Sequence, residues 1–173
     1  PVGVPKNQKN TAFPFQYNNI KQLRKIIEEH DLATIIMEVE RNVKPNDGFL
    51  QKVRKLADEK NIVLVFDECS SGFRENFGGL HLTYGVFPDL AMFGKALGNG
   101  YAINAIVGTR NVMEAAQDTF ISSTFWTERI GPTAALKTLA VMSKMQSWQT
   151  ISEKGRKIKE NWKYLASKHG VQI

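Results

Sequence analysis

Ile62-Val63-Leu64-Val65-Phe66-Asp67-Glu68 is an apolar run, β-branched at Ile62, Val63 and Val65, that ends on two adjacent carboxylates. Bounded by Asn61 on one side and Asp67 on the other, it reads as a buried strand. Upstream, Phe49, Leu50, Val53, Leu56 and Ala57 recur at helical spacing after the turn signal Pro45-Asn46-Asp47-Gly48, and Ala33 to Met37 forms a short apolar run before that. Strand, helix and strand in that order make a β-α-β unit. Further upstream, Ile20, Leu23, Ile26 and Ile27 predict a helix that Asn18-Asn19 can cap and His30-Asp31 ends. Downstream, Pro88-Asp89 opens a third strand, Leu90 to Phe93, Ile103 to Val107 makes a fourth, and Asn111 is expected to cap a short helix through Ala116. Strands apolar on both sides belong in a mostly parallel sheet with helices on both faces, so the fold class is α/β. Catalytic groups then lie at the carboxyl ends of the strands.

After Pro132 the pattern turns wholly helical. Ala134, Ala135, Leu136, Leu139, Ala140 and Met142 are expected on one face, and Ile151, Ile158, Trp162 and Leu165 on a second helix that His169-Gly170 stops and Gly155 weakens. Val171 to Ile173 looks like the start of a strand, and Pro1 to Tyr17 shows no element. The expectation is therefore a chain cut at both ends, with residues 1–145 part of one major domain and 146–173 a helix leading into a second, truncated one. The 173 residues are 42% hydrophobic, enough for one sizeable core. With no long apolar span and no signal-like start, a cytoplasmic protein without a membrane partner is expected. One cysteine, Cys69, excludes an intramolecular disulfide and suits a reducing compartment. The net charge of +6 is spread over helix faces at Lys21, Lys25, Lys52, Lys55, Lys154, Lys157 and Lys159, not gathered with aromatics, so nucleic acid is not an expected partner. No metal site is expected.

Lys95 lies in Phe93-Gly94-Lys95-Ala96-Leu97-Gly98-Asn99-Gly100, just past the third strand. A carboxylate ending one strand and a lysine following another can grip the two ends of one ring. Pyridoxal 5'-phosphate works as an electron sink when its ring nitrogen stays protonated, and Asp67 supplies the opposite charge that keeps the proton there. The aldehyde needs an amine that gives up its proton easily, and Lys95, between Phe93, Ala96 and Leu97, is expected in a largely desolvated pocket that favours this. Each residue alone reads better as a surface charge or a cap. Together, at the ends of neighbouring strands, they read as a site.

Asp67-Glu68-Cys69-Ser70-Ser71-Gly72-Phe73-Arg74, then Gly85-Val86-Phe87-Pro88-Asp89-Leu90, then the run around Lys95 form an ordered set. It resembles the class III pyridoxal-phosphate-dependent aminotransferases, nearest the glutamate-1-semialdehyde aminomutase type, from about Thr11 to Met145. The resemblance implies a fold-type-I major domain and amino-group transfer between a small-molecule amino donor and a carbonyl acceptor. It also implies a homodimer with sites built across the interface. It makes Lys95 the Schiff-base lysine and proton carrier, Asp67 the partner of the ring nitrogen, Cys69 a residue packed on one ring face, and Ser70 a neighbour of the ring hydroxyl. Thr124 matches the threonine that reaches the neighbouring subunit's cofactor phosphate; Asn42 matches an active-site asparagine, and Glu38 a substrate-side residue.

Several positions depart from the family pattern. Val39 stands where the family has a proline after Glu38, Asn99 replaces a frequent glycine after the lysine, Ser123 replaces the glycine before Thr124, and the following proline comes late, at Pro132. The family's upstream phosphate-binding turn, its ring-stacking aromatic and its later domain have no counterpart in these residues. Two rival readings remain: Ile62 to Glu68 also fits the Walker B strand of a P-loop ATPase, with Asp67 on Mg²⁺ and Glu68 orienting water, and a fold relative without catalysis fits too. The ATPase needs a G-x-x-x-x-G-K-[ST] loop, which Gly94-Lys95-Ala96 is not. Retention of both Asp67 and Lys95 argues against loss of the cofactor.

Overall fold

The structure, a computed structural model, describes residues 3–46, 48–122 and 124–173. Asp47, in the turn signal above, and Ser123, before Thr124, lie outside the described residues, as do Pro1 and Val2.

A 3-10 turn, Lys6–Gln8, precedes helix α1, Ile20–Glu29, in the stretch where no element is expected. The Asn19 side chain accepts the Gln22 amide at 3.0 Å, the N-cap bond that starts α1, and α1 buries Leu23 and Ile27 one turn apart. Strand β1, Thr34–Glu38, and helix α2, Phe49–Lys60, follow. Asn61 ends α2 in the left-handed region, its amide reaching the Ala57 and Asp58 carbonyls. Strand β2, Val63–Asp67, then the one-turn helix α3, His81–Tyr84, lead to strand β3, Leu90–Phe93.

The described residues form a four-stranded sheet in the order β1-β2-β3-β4, where β4 is Ala105–Gly108. β1, β2 and β3 pair in parallel, and β4 runs antiparallel to β3. The pairing sets Ile36 beside Val65, and Glu38 beside Asp67 beside Met92. These residues share one face; Ile35, Met37, Leu64, Phe66, Ala91 and Phe93 share the other. On that second face the larger core cluster joins the strands to Leu23 and Ile27 of α1 and to Phe49, Leu50, Val53, Leu56 and Ala57 of α2. On the first face Val65 is buried at the centre of the sheet, while Ile36 and Ile106 towards its edges are 58% and 56% exposed.

Asp89 fixes the amino ends of the strands. Its Oδ2 accepts from the Leu64 amide at 2.7 Å and from Arg54 of α2 at 2.8 Å, tying β3 to β2 and to the helix. After β4 come helix α4, Arg110–Glu114, and a 3-10 turn, Ala115–Asp118. Thr109, not Asn111, precedes the helix, two residues earlier than expected: its amide donates to the Asp89 carbonyl at 2.9 Å and its carbonyl accepts the Met113 amide at 3.0 Å. Helix α5, Ile130–Met145, carries Pro132 in its first turn, where no amide donor is needed. It buries Gly131 and Ala135 and half-buries Leu139 and Met142, while Leu136 is 70% exposed. Leu136 therefore departs from the expected face, because the helical period carries it about 100° away from Ala135. Gln146, at φ 49°, breaks the path before helix α6, Ser147–His169. Val171 to Ile173 forms no strand. No helix among the described residues is long and apolar enough to cross a membrane.

Candidate active site

Asp67 is the last residue of β2, and the next strand delivers Lys95 two residues beyond its own end. Both groups thus stand at the carboxyl edge of parallel neighbours. The Asp67 Oδ1 accepts the Cys69 amide at 2.9 Å, which turns the chain back over the carboxylate. Burial, and then the hydrogen bond and charge of Asp67, push the Cys69 thiol pKa up, while the Lys95 ammonium acts in the opposite sense. Cys69 is thereby kept a neutral, half-buried thiol that feels both ends of the pair.

The Lys95 Nζ donates to the Ser70 Oγ. Two backbone features bring the amine there. Lys95 itself has φ 43°, a left-handed conformation that costs a non-glycine residue on the order of 1 kcal/mol. Gly94 precedes it where a Cβ would lie 2.5 Å from the Asn104 Oδ1 and 3.4 Å from the Cys69 Sγ, so the strand end passes between those groups only as glycine. Lys95 is exposed, which corrects the expectation of a desolvated amine. It stands on a turn whose outer residues Asn99, Gly100 and Tyr101 are exposed as well, so nothing among the described residues roofs it.

Lys95 lines an open cleft of about 720 Å³ together with Tyr101, Asn104, Thr124, Trp126 and Pro132. Thr124 is therefore within the cleft of its own chain's lysine. Glu38 is the register partner of Asp67 but faces a separate cavity of about 350 Å³, with Asn42, Arg41 and Tyr17. There its carboxylate pairs with Arg41 Nε at 3.5 Å. The Tyr17 hydroxyl donates to the carbonyl of the fully buried Val39. Burial, and then the Glu40 charge, hold its pKa up at about 12, so it remains a donor. That bond and the burial of Val39 fix the chain where the family pattern uses a proline. The structure thus gathers Asp67, Cys69, Ser70 and Lys95 in one cluster, sets Thr124 across the cleft from Lys95, and leaves Glu38 and Asn42 next door.

Glu68 is a residue whose place the sequence does not foretell. It is fully buried, with Oε1 2.8 Å from His81 Nδ1 and 2.9 Å from the His81 amide, and Oε2 accepting from the Ser71 hydroxyl. Burial alone would raise its pKa, but the bonds from His81, Ser71 and the His81 and Leu80 amides outweigh that and hold it lowered. A carboxylate so enclosed cannot orient an attacking water, which removes the ATPase reading. Strand alternation is the available signal: next to an Asp67 on one face, Glu68 has to point to the other. Asn104 is likewise missed, being an exposed residue with no motif around it.

A planar ring carrying a proton at one end and an aldehyde at the other needs a carboxylate, an amine and little bulk between them. Asp67 and Lys95 supply the carboxylate and the amine, linked through Cys69 and Ser70 of the turn between them; of these four Lys95 lines the cleft, which is of a size usual for small-molecule sites. Among the described residues no group of three or more His, Cys, Asp or Glu could hold a metal ion.

The family model for class III aminotransferases matches residues 4–173. The 3-aminobutyryl-CoA aminotransferase of Cloacimonas acidaminovorans is 36% identical, over 99% of this chain and 44% of that protein. The glutamate-1-semialdehyde 2,1-aminomutase of Natranaerobius thermophilus is 31% identical, over 99% of this chain and 42% of that protein. The FumI protein of Sphingopyxis sp. MTA144 superposes with a TM-score of 0.90 at 25% identity, over 98% of this chain and 43% of that structure. The chain spans less than half the length of the relatives it matches.

Proposed function

Because the chain belongs to the class III aminotransferase family, we propose that its protein transfers amino groups with pyridoxal 5'-phosphate, between a small-molecule amino donor and a carbonyl acceptor. The observation that carries this is the meeting of Lys95 Nζ with Ser70 Oγ in the turn that follows Asp67, at the carboxyl edge of β2 and β3. Pyridoxal phosphate, when bound, supplies an aldehyde that condenses with amines and a cationic ring that draws electrons from the substrate.

Asp67 would hold the proton of the ring nitrogen, its carboxylate kept in place by the Cys69 amide. Lys95 would hold the aldehyde end and then, released, carry a proton to and from the substrate carbon. Cys69, uncharged and polarisable, would pack against a ring face. Ser70 would serve the ring hydroxyl, Thr124 the phosphate of the neighbouring subunit's cofactor, Asn42 the cofactor and Glu38 the substrate, the last two from the cavity beside the Lys95 cleft. Relatives that move the amino group between molecules and relatives named aminomutases are both similar to this chain, so the proposal covers either outcome. We also propose a cytoplasmic homodimer; with Thr124 lining its own chain's cleft, its service to the partner subunit rests on the family resemblance, and the cytoplasm on the single free Cys69.

Borohydride reduction of the cofactor-loaded full-length protein, followed by peptide mass analysis, tests the assignment. The pyridoxyl mass is expected on Lys95 and absent from Lys95→Ala, with amino transfer reduced by about a thousandfold or more. A label on another lysine, or one that survives in Lys95→Ala, overturns it.

A further inference from the structure

Glu68 and His81 take no part in the chemistry above, yet they form the best-enclosed polar group of the described residues. Both are buried, at 0% and 7% exposure. The backbone closes over them at Gly79, where a Cβ would lie 2.3 Å from His81 Nδ1 and 2.8 Å from Glu68 Oε1. The site's turn hangs from the same residue. The Glu68 amide extends the β2–β3 ladder to the Met92 carbonyl at 2.8 Å, and its carbonyl accepts the Gly72 amide at 2.8 Å. Gly72 in turn sits where a Cβ would strike the Phe93 ring at 2.7 Å. Residues 68 to 72 are thus fastened at both ends, and the Ser71 hydroxyl is fastened in the middle by Glu68. Ser70, between these anchors, has its hydroxyl left to meet Lys95.

We propose that the buried Glu68–His81 pair is a positioning device that sets where Ser70 meets the Lys95 amine. It rests on the reading of Lys95 as the reacting amine. Asp67 and Glu68, adjacent and on opposite faces, then divide the work: one carboxylate faces the site and the other holds the turn that frames it. His81 brings to β2 a residue 13 positions later in the chain, so the segment before β3 and the turn after β2 are set together.

The test uses full-length protein stripped of cofactor, with trinitrobenzenesulfonate as the probe. Peptide mass analysis follows labelling of Lys95 relative to Lys25 and Lys55, which lie on α1 and α2. Ser70→Ala is expected to speed labelling of Lys95 by about threefold, as an amine released from its partner. His81→Ala is expected to match it, and the double variant to exceed neither. His81→Asn, whose amide nitrogen falls near the Nδ1 position, is expected to restore the original rate. An unchanged rate in folded His81→Ala, or effects that multiply in the double variant, overturns the proposal. If His81→Ala does not fold by its melting curve, Ser71→Ala removes one bond to Glu68 and is expected to raise the rate by a smaller factor; no change there is equally fatal. A protein that never carries cofactor on Lys95 would defeat the functional reading, and the labelling result would remain readable on its own.

Discussion

Asp67 closes a strand that runs through the larger core cluster, where Leu64 and Phe66 are fully buried against α1 and α2. Lys95 follows a strand that ends in a smaller one, made of Ala91, Phe93, Leu97 and Ala135 with Phe73, Ile103, Ala105 and Leu139 at its rim. The acid is therefore positioned by packing. The amine is positioned by a strained turn, a close glycine approach and one hydroxyl. Preorganised charge belongs on the rigid side of a site, where it costs no rearrangement, whereas a group that must leave one partner for another belongs on the looser side.

The largest effect that could break this comparison is Phe66→Ala, which opens a cavity in the larger cluster and is expected to cost about 4 kcal/mol in urea unfolding of the full-length protein. Leu97→Ala is expected to cost about 2 kcal/mol, because its site borders the exposed turn at Asn99 and Gly100 and can relax. It should also raise hydrogen exchange around Lys95 while leaving the turn after Asp67 protected. Equal losses at the two positions would show that the clusters are one. A smaller effect distinguishes the carboxylates. The pKa of Glu68 is lowered on folding, so its stabilisation is fully present above the ordinary carboxylate range and is lost as pH falls through the folded value. Glu68→Gln is expected to flatten the acid side of the stability–pH curve; an unaltered acid limb would contradict the enclosed-anion picture. Smallest of all, Lys55→Ala breaks an exposed pair with Glu59 at 3.7 Å and is expected to cost about 0.3 kcal/mol, within reach of a salt-matched melting comparison.

The β-α-β unit is legible in the sequence because each of its parts is announced locally. Asn19 caps α1, the stripe from Phe49 to Ala57 has helical period, and Asn61 with its left-handed backbone separates α2 from β2. The pair Asp67 and Lys95 is legible for a related reason: each follows an apolar strand, and parallel neighbours bring their ends together. Where the reading departs from the structure, a distant partner decides. β4 turns antiparallel, a direction no local pattern specifies, and α4 starts after Thr109, whose amide is held by the distant Asp89 carbonyl, not after Asn111. Leu136 looks like core by composition but is rotated out by the packing of Gly131 and Ala135. The exposure of Lys95 depends on what stands over the turn, and neighbours in sequence do not report it.

From the residues alone follow the class of fold, the order of its first strands and helices, and the chemistry invited by a carboxylate and an amine at two strand ends. Alternation, capping and apolar spacing act over a few residues, and a linear reading can follow them. Only the folded chain decided that Glu68 lies buried against His81, that Ser70 meets Lys95, and that Glu38 and Asn42 open onto a cavity of their own. Those facts arise from strand register and from contacts between segments far apart in the chain, where the free energy comes from burial and hydrogen bonding among groups that local propensity does not bring together.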